Sequence, residues 1–553
     1  MNVMTTPADL PASIEDLRAL VLLQSEKHEE EKQQLEQEKQ QLEEKVCDQE
    51  RRVSEYAEEI SQLREYIRLL KSQRFGPKSE REAPNQMGLF NEAEVAADEQ
   101  TDEEGGEALI EVPAHARRKR GGRKPLPAFL PREEIVHDIG EQEKICLHDP
   151  EHHLVRIGEE RLEQLVFIPA EAKVLVHVRP KYVCPSCKDT VKTASVPPQP
   201  IPKSFATASL LAQIVTAKYV DGLPLCRQEK IFERIGVELS RATMASWVIR
   251  MGELVDPLLQ IFLQRIRDGG YVQADETPFQ VLKEDGKRAT SRSYLWALRG
   301  GPDAEHPLLY YEYAPSRAGG VAERLLEGFQ GFLQTDGYAG YDGFNEKAGV
   351  VHVGCFAHAR RKFHEALRGQ TKKSKPGAKQ SLARQGFRQI NKLYEIERGY
   401  AEVTPSERHA LRQQKLAPKL AKLREWIDVS RDRVAPKSLT GKAISYLDAQ
   451  WPKLVRVLED GRLPLDTNAV ERAIRPFVIG RRNWLFADTP SGATASARLY
   501  TLVETAKAND LEPWAYLAEL FERLPCATTQ ADIEALLPWR IDLPAPAHRI
   551  SQG

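Results

Sequence analysis

Cysteine is scarce in this chain of 553 residues: there are seven, an odd number. So few thiols cannot build the dense bridge framework of a small secreted domain, and they point to a reducing compartment. Long apolar runs are missing too. No stretch of 18 or more apolar residues occurs, which excludes a membrane-spanning helix. The first 30 residues contain no basic start followed by an apolar core, which argues against a secretory leader. Nor does one sign of charge dominate, since 79 Lys and Arg stand against 81 Asp and Glu for a net −2. That balance conceals a partition: residues 1–110 carry −14 and residues 111–553 carry +12. A basic body suits a polyanionic partner. The length is about three to four times that of a typical domain, so several domains in a cytoplasmic, membrane-free protein are expected.

Residues 13–75 read as a coiled coil. One seam carries Lys32, Lys39, Val46, Val53, Ile60 and Ile67, the other Leu35, Leu42, Gln49, Tyr56, Leu63 and Leu70. Branched residues at a with Leu at d favour a two-stranded parallel pair, hence a homodimer or higher assembly. The alternative is one long helix packed on its own chain. Residues 76–112 form an acidic linker, with eight carboxylates and no cation between Glu92 and Glu107, too self-repelling to fold on a core. Residues 113–130 are their opposite, an AT-hook-like segment carrying Arg117, Arg118, Lys119, Arg120, Arg123 and Lys124. An extended Gly-Arg-Lys-Pro run suits the DNA minor groove, though it also suits a solvated linker.

In residues 131–198, Cys146 and a nearby histidine, His148 or else His152 or His153, precede Cys184 and Cys187 at a spacing able to close a tetrahedral structural Zn²⁺ site. Residues 172–179 between them read as a strand. Residues 199–262 read as three helices: 209–219, then 227–235 ended by Gly236, then one capped by Ser240 and starting at Arg241. That order is helix-turn-helix-like, with Arg241 available to DNA; an ordinary helical packing unit is the alternative.

From residue 263 the pattern becomes α/β. Strands are expected at 271–274, 293–298, 308–313, 332–335 and 350–354, with helices at 321–328 and from Ala357. This is the element order of a ribonuclease-H-like fold over 263–500, interrupted by a basic helical insertion at about 366–455 and followed by a helical extension, 501–553. Asp275 ends the first strand and Asp336 the fourth, and these strands should be neighbours. Glu471 should come from a late helix that Thr467 or Asn468 could cap. Three carboxylates on one edge suit a pair of Mg²⁺ or Mn²⁺ ions, hard cations that take oxygen ligands and activate phosphoryl displacement. Any one of the three acids could equally be a solvated surface group. Arg360, Arg361 and Lys362, after Cys355, suit phosphate contact better than a Cys355–His358 nucleophilic pair. Arg481, Arg482 and Trp484 suit phosphates plus a stacked base, or a basic surface over a core indole.

Several of these runs together resemble one family. They are Gly-Arg-Lys-Pro-Leu-Pro from Gly122, Arg179-Pro180-Lys181-Tyr182-Val183-Cys184 and Leu223-Pro224-Leu225-Cys226-Arg227-Gln228. Asp275-Glu276-Thr277-Pro278, Thr335-Asp336-Gly337-Tyr338, the run from Cys355 to Phe363, and Asn468-Ala469-Val470-Glu471-Arg472 complete the set. In this order they resemble the transposases of the bacterial insertion-sequence family sixty-six, across nearly the whole chain. The resemblance implies a DDE-type enzyme with Asp275, Asp336 and Glu471 as its acidic triad, a zinc-binding module, a C-terminal extension and companion proteins encoded alongside. Two positions depart from the family pattern: His148 stands where a second Cys is usual, and Cys226 where Tyr is usual. The expected activity is cleavage and strand transfer at the element's terminal inverted repeats, on target DNA, in a bacterial, nucleoid-associated setting. A structure-selective nuclease and a non-catalytic DNA-binding regulator are the rival readings.

Overall fold

The computed structural model describes residues 14–75, 172–179, 181–183, 191–193, 198–301, 306–370 and 381–543. No Gly or Pro interrupts residues 14–75, and a single helix, α1 (Ile14–Phe75), occupies all 62 of them, stopping before Gly76-Pro77 as breakers dictate. Strands β1 (Lys181–Val183) and β2 (Val191–Thr193) pair antiparallel, Val183 opposite Val191. Residues 172–179, expected as a strand, carry no ladder among the described residues, and Val174, Val176 and Val178 are exposed. Apolar alternation alone does not supply a partner strand.

Four helices follow: α2 (Ala208–Tyr219), α3 (Leu225–Arg234), α4 (Arg241–Leu254) and α5 (Asp256–Asp268). Their ends lie where the local chemistry demands. Ser240 accepts the Thr243 N–H at 3.2 Å to cap α4, and Gly236, at φ +79°, turns the chain after α3.

Next come β3 (Tyr271–Gln280), β4 (Arg292–Gly300), β5 (Leu309–Ala314), α6 (Gly319–Leu325), β6 (Gly331–Gln334), β7 (Val350–Val353) and α7 (Phe356–Gly369). After these, α8 (Leu382–Arg398), α9 (Pro405–Leu411), α10 (Ala417–Arg431) and α11 (Leu439–Leu454) form the insertion. The chain ends with α12 (Asn468–Trp484), α13 (Pro490–Ala508), α14 (Pro513–Arg523) and α15 (Gln530–Glu534). No helix among the described residues is long and apolar enough to cross a membrane.

Two units result. The larger is mixed α/β around one sheet of order β5-β4-β3-β6-β7. The β3–β4 and β4–β5 pairs are antiparallel, whereas β3–β6 and β6–β7 are parallel. Gly331 starts β6 at φ +125°, and a Cβ there would collide with the Gly270 carbonyl. Glycine thus lets the parallel strands close, with the Phe332 N–H donating to Gly270 O at 2.9 Å. The exposed edge of β5 is covered by α13: the Tyr311 N–H donates to Thr501 Oγ1 at 2.9 Å and the Leu309 N–H to Thr505 Oγ1 at 3.2 Å. Edge donors that would otherwise invite another strand are satisfied this way. Helix α13 runs unbroken through residue 500, where the sequence reading divided core from extension.

The smaller unit joins the end of α1 to insertion helices. Leu69 is buried with Ala366, Ala383 and Leu439, Arg68 Nε donates to Gly369 O at 2.8 Å, and Glu65 accepts the Leu439 N–H at 3.3 Å. Nothing in the heptad pattern announces this docking, because Leu69 lies outside both seams.

One buried base in the larger unit carries a pH signature. His352 on β7 bonds Thr335 Oγ1 through Nε2 at 2.8 Å and Asn345 Oδ1 through Nδ1 at 2.7 Å. Burial, helped by Lys453 and Arg456 and opposed by Asp342, pushes its pKa down to about 3. The unfolded chain therefore binds the extra proton first, near pH 6.5. Stability is complete above that pH and falls as the pH drops toward 3, by about 1.4 kcal/mol between pH 7.5 and 5.5. Urea unfolding at the two pH values should show this loss in the wild type and not in His352→Gln; equal losses in both would refute it.

Candidate active site

Strand β6 follows β3 only over Tyr271–Gln273, with Gln273 opposite Gln334. Beyond that pair the strands part. The sequence reading ended the first strand at Asp275, but β3 continues to Gln280 against β4, through Pro278. Its carbonyl accepts a bond from Arg481 Nη1, so the ring nitrogen also faces away from β4 and no ladder bond is lost. Asp275 and Asp336 each lie two residues past the glutamine pair, at the mouth of this fork. A crevice where parallel strands diverge is where α/β sheets place ligands.

Both aspartates are half-buried and locally anchored. Asp275 Oδ1 accepts the Glu276 N–H at 2.8 Å and Asp336 Oδ1 accepts the Tyr338 N–H at 2.9 Å. Glu471 stands in the first turn of α12, where a carboxylate is favoured by the helix dipole. Thr467 is the N-cap of that helix, but its side chain caps nothing. Its hydroxyl lies 3.3 Å from Cys355 Sγ and 3.5 Å from Glu471 Oε1, and its N–H also points at Cys355 Sγ, at 3.3 Å. The buried Cys355 thiol thus anchors the turn that launches α12.

The two glutamines align the three elements. Gln273 Nε2 donates to Gln334 Oε1 and to Asp466 O, both at 3.0 Å, while its Oε1 accepts the Val470 N–H at 3.2 Å. Gln334 Nε2 donates to Pro464 O at 2.8 Å and Gly354 O at 3.2 Å, and its Oε1 also accepts from Tyr271 OH at 2.6 Å. Both are buried. Strands β3 and β6 therefore hold the loop before Glu471 by side-chain amides, which fixes the third carboxylate relative to the first two. The only mark of Gln273 and Gln334 in the sequence is to be polar residues within otherwise apolar strands.

Burial, then the charges of Glu276, Asp336 and Glu471, raises the Asp275 pKa well above the ordinary carboxylate value. Crowded carboxylates suit a hard divalent cation, which would relieve their repulsion. Glu276 is buried and carries its own partners, Arg317 at 2.5 Å and Tyr341 OH at 2.6 Å.

The other expected contacts are scattered. Arg241, Lys362 and Arg482 are exposed, Arg361 and Arg481 half-buried. Arg360 is buried, with its guanidinium 4.7 Å from the Tyr394 ring centroid, and Trp484 packs edge-on against Phe279 and Phe477. Cys146, His148, Cys184 and Cys187, and the cations from Arg117 to Lys124, lie outside the described residues; the β1–β2 hairpin brackets Cys184 and Cys187 in sequence.

Comparison with known proteins agrees with this architecture. The family model described as "Transposase IS66 family" matches residues 203–495, more than half of the chain. "IS66 C-terminal element" matches 501–539, "zinc-finger binding domain of transposase IS66" 143–188, and "Transposase C of IS166 homeodomain" 62–135. The zinc-finger match spans all four expected zinc ligands. Among similar proteins of Sinorhizobium fredii, the uncharacterized protein y4qI is 34% identical over 451 residues, 78% of this chain and 81% of the relative. The uncharacterized protein y4hP is 31% identical over 481 residues, 84% and 86% of the respective chains. A core match of this extent, flanked in order by the family's other segments, means that the chain belongs to the IS66 transposase family.

Proposed function

We propose that this protein is a DDE transposase that cuts the 3′ ends of its element at the terminal inverted repeats and joins them to target DNA. What supports the reading most is the position of Asp275 and Asp336 at the mouth of the β3–β6 fork, with the Glu471 charge close enough to raise the Asp275 pKa, on a sheet whose strand order suits a ribonuclease-H-like core. In the first step water attacks the phosphorus and the P–O3′ bond breaks; the proton the water gives up is matched by the one the departing O3′ takes up, which leaves a 5′-phosphate on the flank and a free 3′-hydroxyl on the element. In the second, that hydroxyl attacks a target phosphodiester; one P–O bond forms as the target P–O3′ bond breaks, and the proton lost by the attacking hydroxyl is balanced by the one the displaced O3′ gains. Mg²⁺ or Mn²⁺, two ions held by Asp275, Asp336 and Glu471, would supply Lewis-acid activation and charge neutralisation. The glutamine pair keeps the carboxylates in register, which matters because a misplacement near 1 Å costs about 10²-fold in rate.

End recognition falls to the zinc module of residues 131–198, with Zn²⁺ on Cys146, His148, Cys184 and Cys187, to the AT-hook-like run and to the helices of residues 199–262, where Arg241 is exposed. Lys362 and Arg482 supply exposed phosphate contacts. Helix α1 pairs two protomers: Val53, Ile60, Leu63 and Ile67 are all about half or more exposed, while Leu69 on another face packs on the insertion. Val53→Lys with Ile60→Lys buries four ammonium groups in a dimer seam, and should weaken association at least about 100-fold. Light scattering would then report a monomer; an unchanged mass would remove the coiled coil from the dimer.

The function is tested with labelled DNA carrying the element's own ends, incubated with Mg²⁺, Mn²⁺ or EDTA, with and without companion proteins. Metal-dependent 3′ nicks and joined products are expected. Cutting of branched DNA regardless of end sequence would instead mark a structure-selective nuclease.

A further inference from the structure

Arg317, in the loop between β5 and α6, is no member of the acidic triad yet is held beside it through two neighbours, Glu276 and Tyr338. Its Nε and Nη2 both sit 2.5 Å from Glu276 Oε1, and its guanidinium carbon lies 3.6 Å from the Tyr338 ring centroid. Tyr338 in turn donates its hydroxyl to the Arg317 carbonyl at 2.7 Å and its N–H to Asp336 Oδ1 at 2.9 Å. Guanidinium, phenol ring and Asp336 carboxylate are thereby locked as one block. Neutralising Glu276 does not account for the whole arrangement. The Glu276 side chain is fully buried, whereas 37% of the Arg317 side chain remains exposed. Glu276 occupies the Nε–Nη2 edge of the guanidinium, so Nη1 is turned away from it, on a partly exposed cation fixed beside the acidic cluster. A planar fork immobilised by one carboxylate and one aromatic face is well prepared to receive a phosphate oxygen at its remaining edge.

Resting on the transposase reading above, we propose that Arg317 binds a non-bridging oxygen of the phosphodiester entering the site, through Nη1. Attack at phosphorus concentrates negative charge on those oxygens, and a donor already aimed at them needs no reorganisation as the charge develops. Glu276, Tyr338 and Tyr341 are then positioning residues, and the Asp-Glu-Thr-Pro run supplies both a triad carboxylate and the anchor for the phosphate-binding cation.

The test compares wild type, Arg317→Gln and Arg317→Lys on end DNA with either a natural phosphate or a neutral methylphosphonate at the scissile position. Binding is measured in EDTA as a function of salt, and single-turnover cleavage of natural DNA in Mg²⁺. On natural DNA, Arg317→Gln should cleave about 10²- to 10³-fold more slowly, and its log K against log[salt] line should be shallower by about 0.9, the share of one phosphate. Arg317→Lys keeps a charge for Glu276 but cannot reach both partners. It should therefore melt like wild type and still lose the slope. On methylphosphonate DNA the three proteins should bind alike. A defect of the same size on both DNAs, or an unchanged slope in Arg317→Lys, would overturn the proposal and leave Arg317 a packing residue. Wild-type protein that binds but never cuts would count against the transposase reading alone, since the binding comparison stands without chemistry.

Discussion

Asp336→Asn stops end cleavage, lowering the single-turnover rate by about 10³-fold or more, while end binding in EDTA stays within about twofold. A divalent ion at this site contributes several kcal/mol of transition-state stabilisation, and each 1.36 kcal/mol is tenfold in rate. Asparagine is the right replacement because the structure isolates the charge. The Tyr338 N–H bonds Asp336 Oδ1, and an amide oxygen at the same place preserves that turn. Removing one of the like charges that raise the Asp275 pKa also relieves repulsion, so the apo-protein should melt no lower than wild type. Loss of binding in parallel with cleavage would mean a folding defect, and cleavage at the wild-type rate would remove Asp336 from the chemistry.

Gln334→Leu has the second largest expected effect, on stability and rate together. Leucine fills most of the volume but leaves the carbonyls of Gly354 and Pro464, the Tyr271 hydroxyl and the Gln273 amide without the partner they had. Each orphaned buried polar group costs about 1–3 kcal/mol, and relaxation spares part of the sum, so a loss of about 3–5 kcal/mol in urea unfolding is expected. The Pro464 end of the loop before α12 is then released from β6, which loosens the placement of Glu471. Cleavage by the fraction still folded should fall about 10²-fold. Gln334→Glu separates the two effects: it keeps the acceptor for Tyr271 but loses the donors to Pro464 and Gly354, so the loop should still shift. Full activity in folded Gln334→Leu would show that the fork places Glu471 without the amide ladder.

Several features of this molecule were legible from local chemistry. Apolar runs broken by Asp275 and Asp336 marked β3 and β6, and the pairing of these strands in the sheet is as expected. Ser240 and Gly236 marked helix ends because capping and left-handed turns depend on one or two residues. The uninterrupted helix former run marked α1. These signals span a few residues, and the forces behind them act within that span.

What escaped the sequence reading is of another kind. Strand β3 passes through Pro278 because its unpaired side at that point faces Arg481, 203 residues later. Gln273 and Gln334 gain their meaning only from Asp466, Val470, Pro464 and Gly354, which folding brings to them. Nothing in the sequence sets Glu276 apart; its partners Arg317 and Tyr341 come from segments 41 and 65 residues further on. Leu69 had no place in the heptads until Ala366, Ala383 and Leu439 surrounded it. The residue order thus fixes which segments become strands and helices, and which acids can reach the sheet edge. How those acids are held, and which cation stands beside them, is settled by folding, because a buried polar group takes whichever distant partner the packed chain brings within bonding distance.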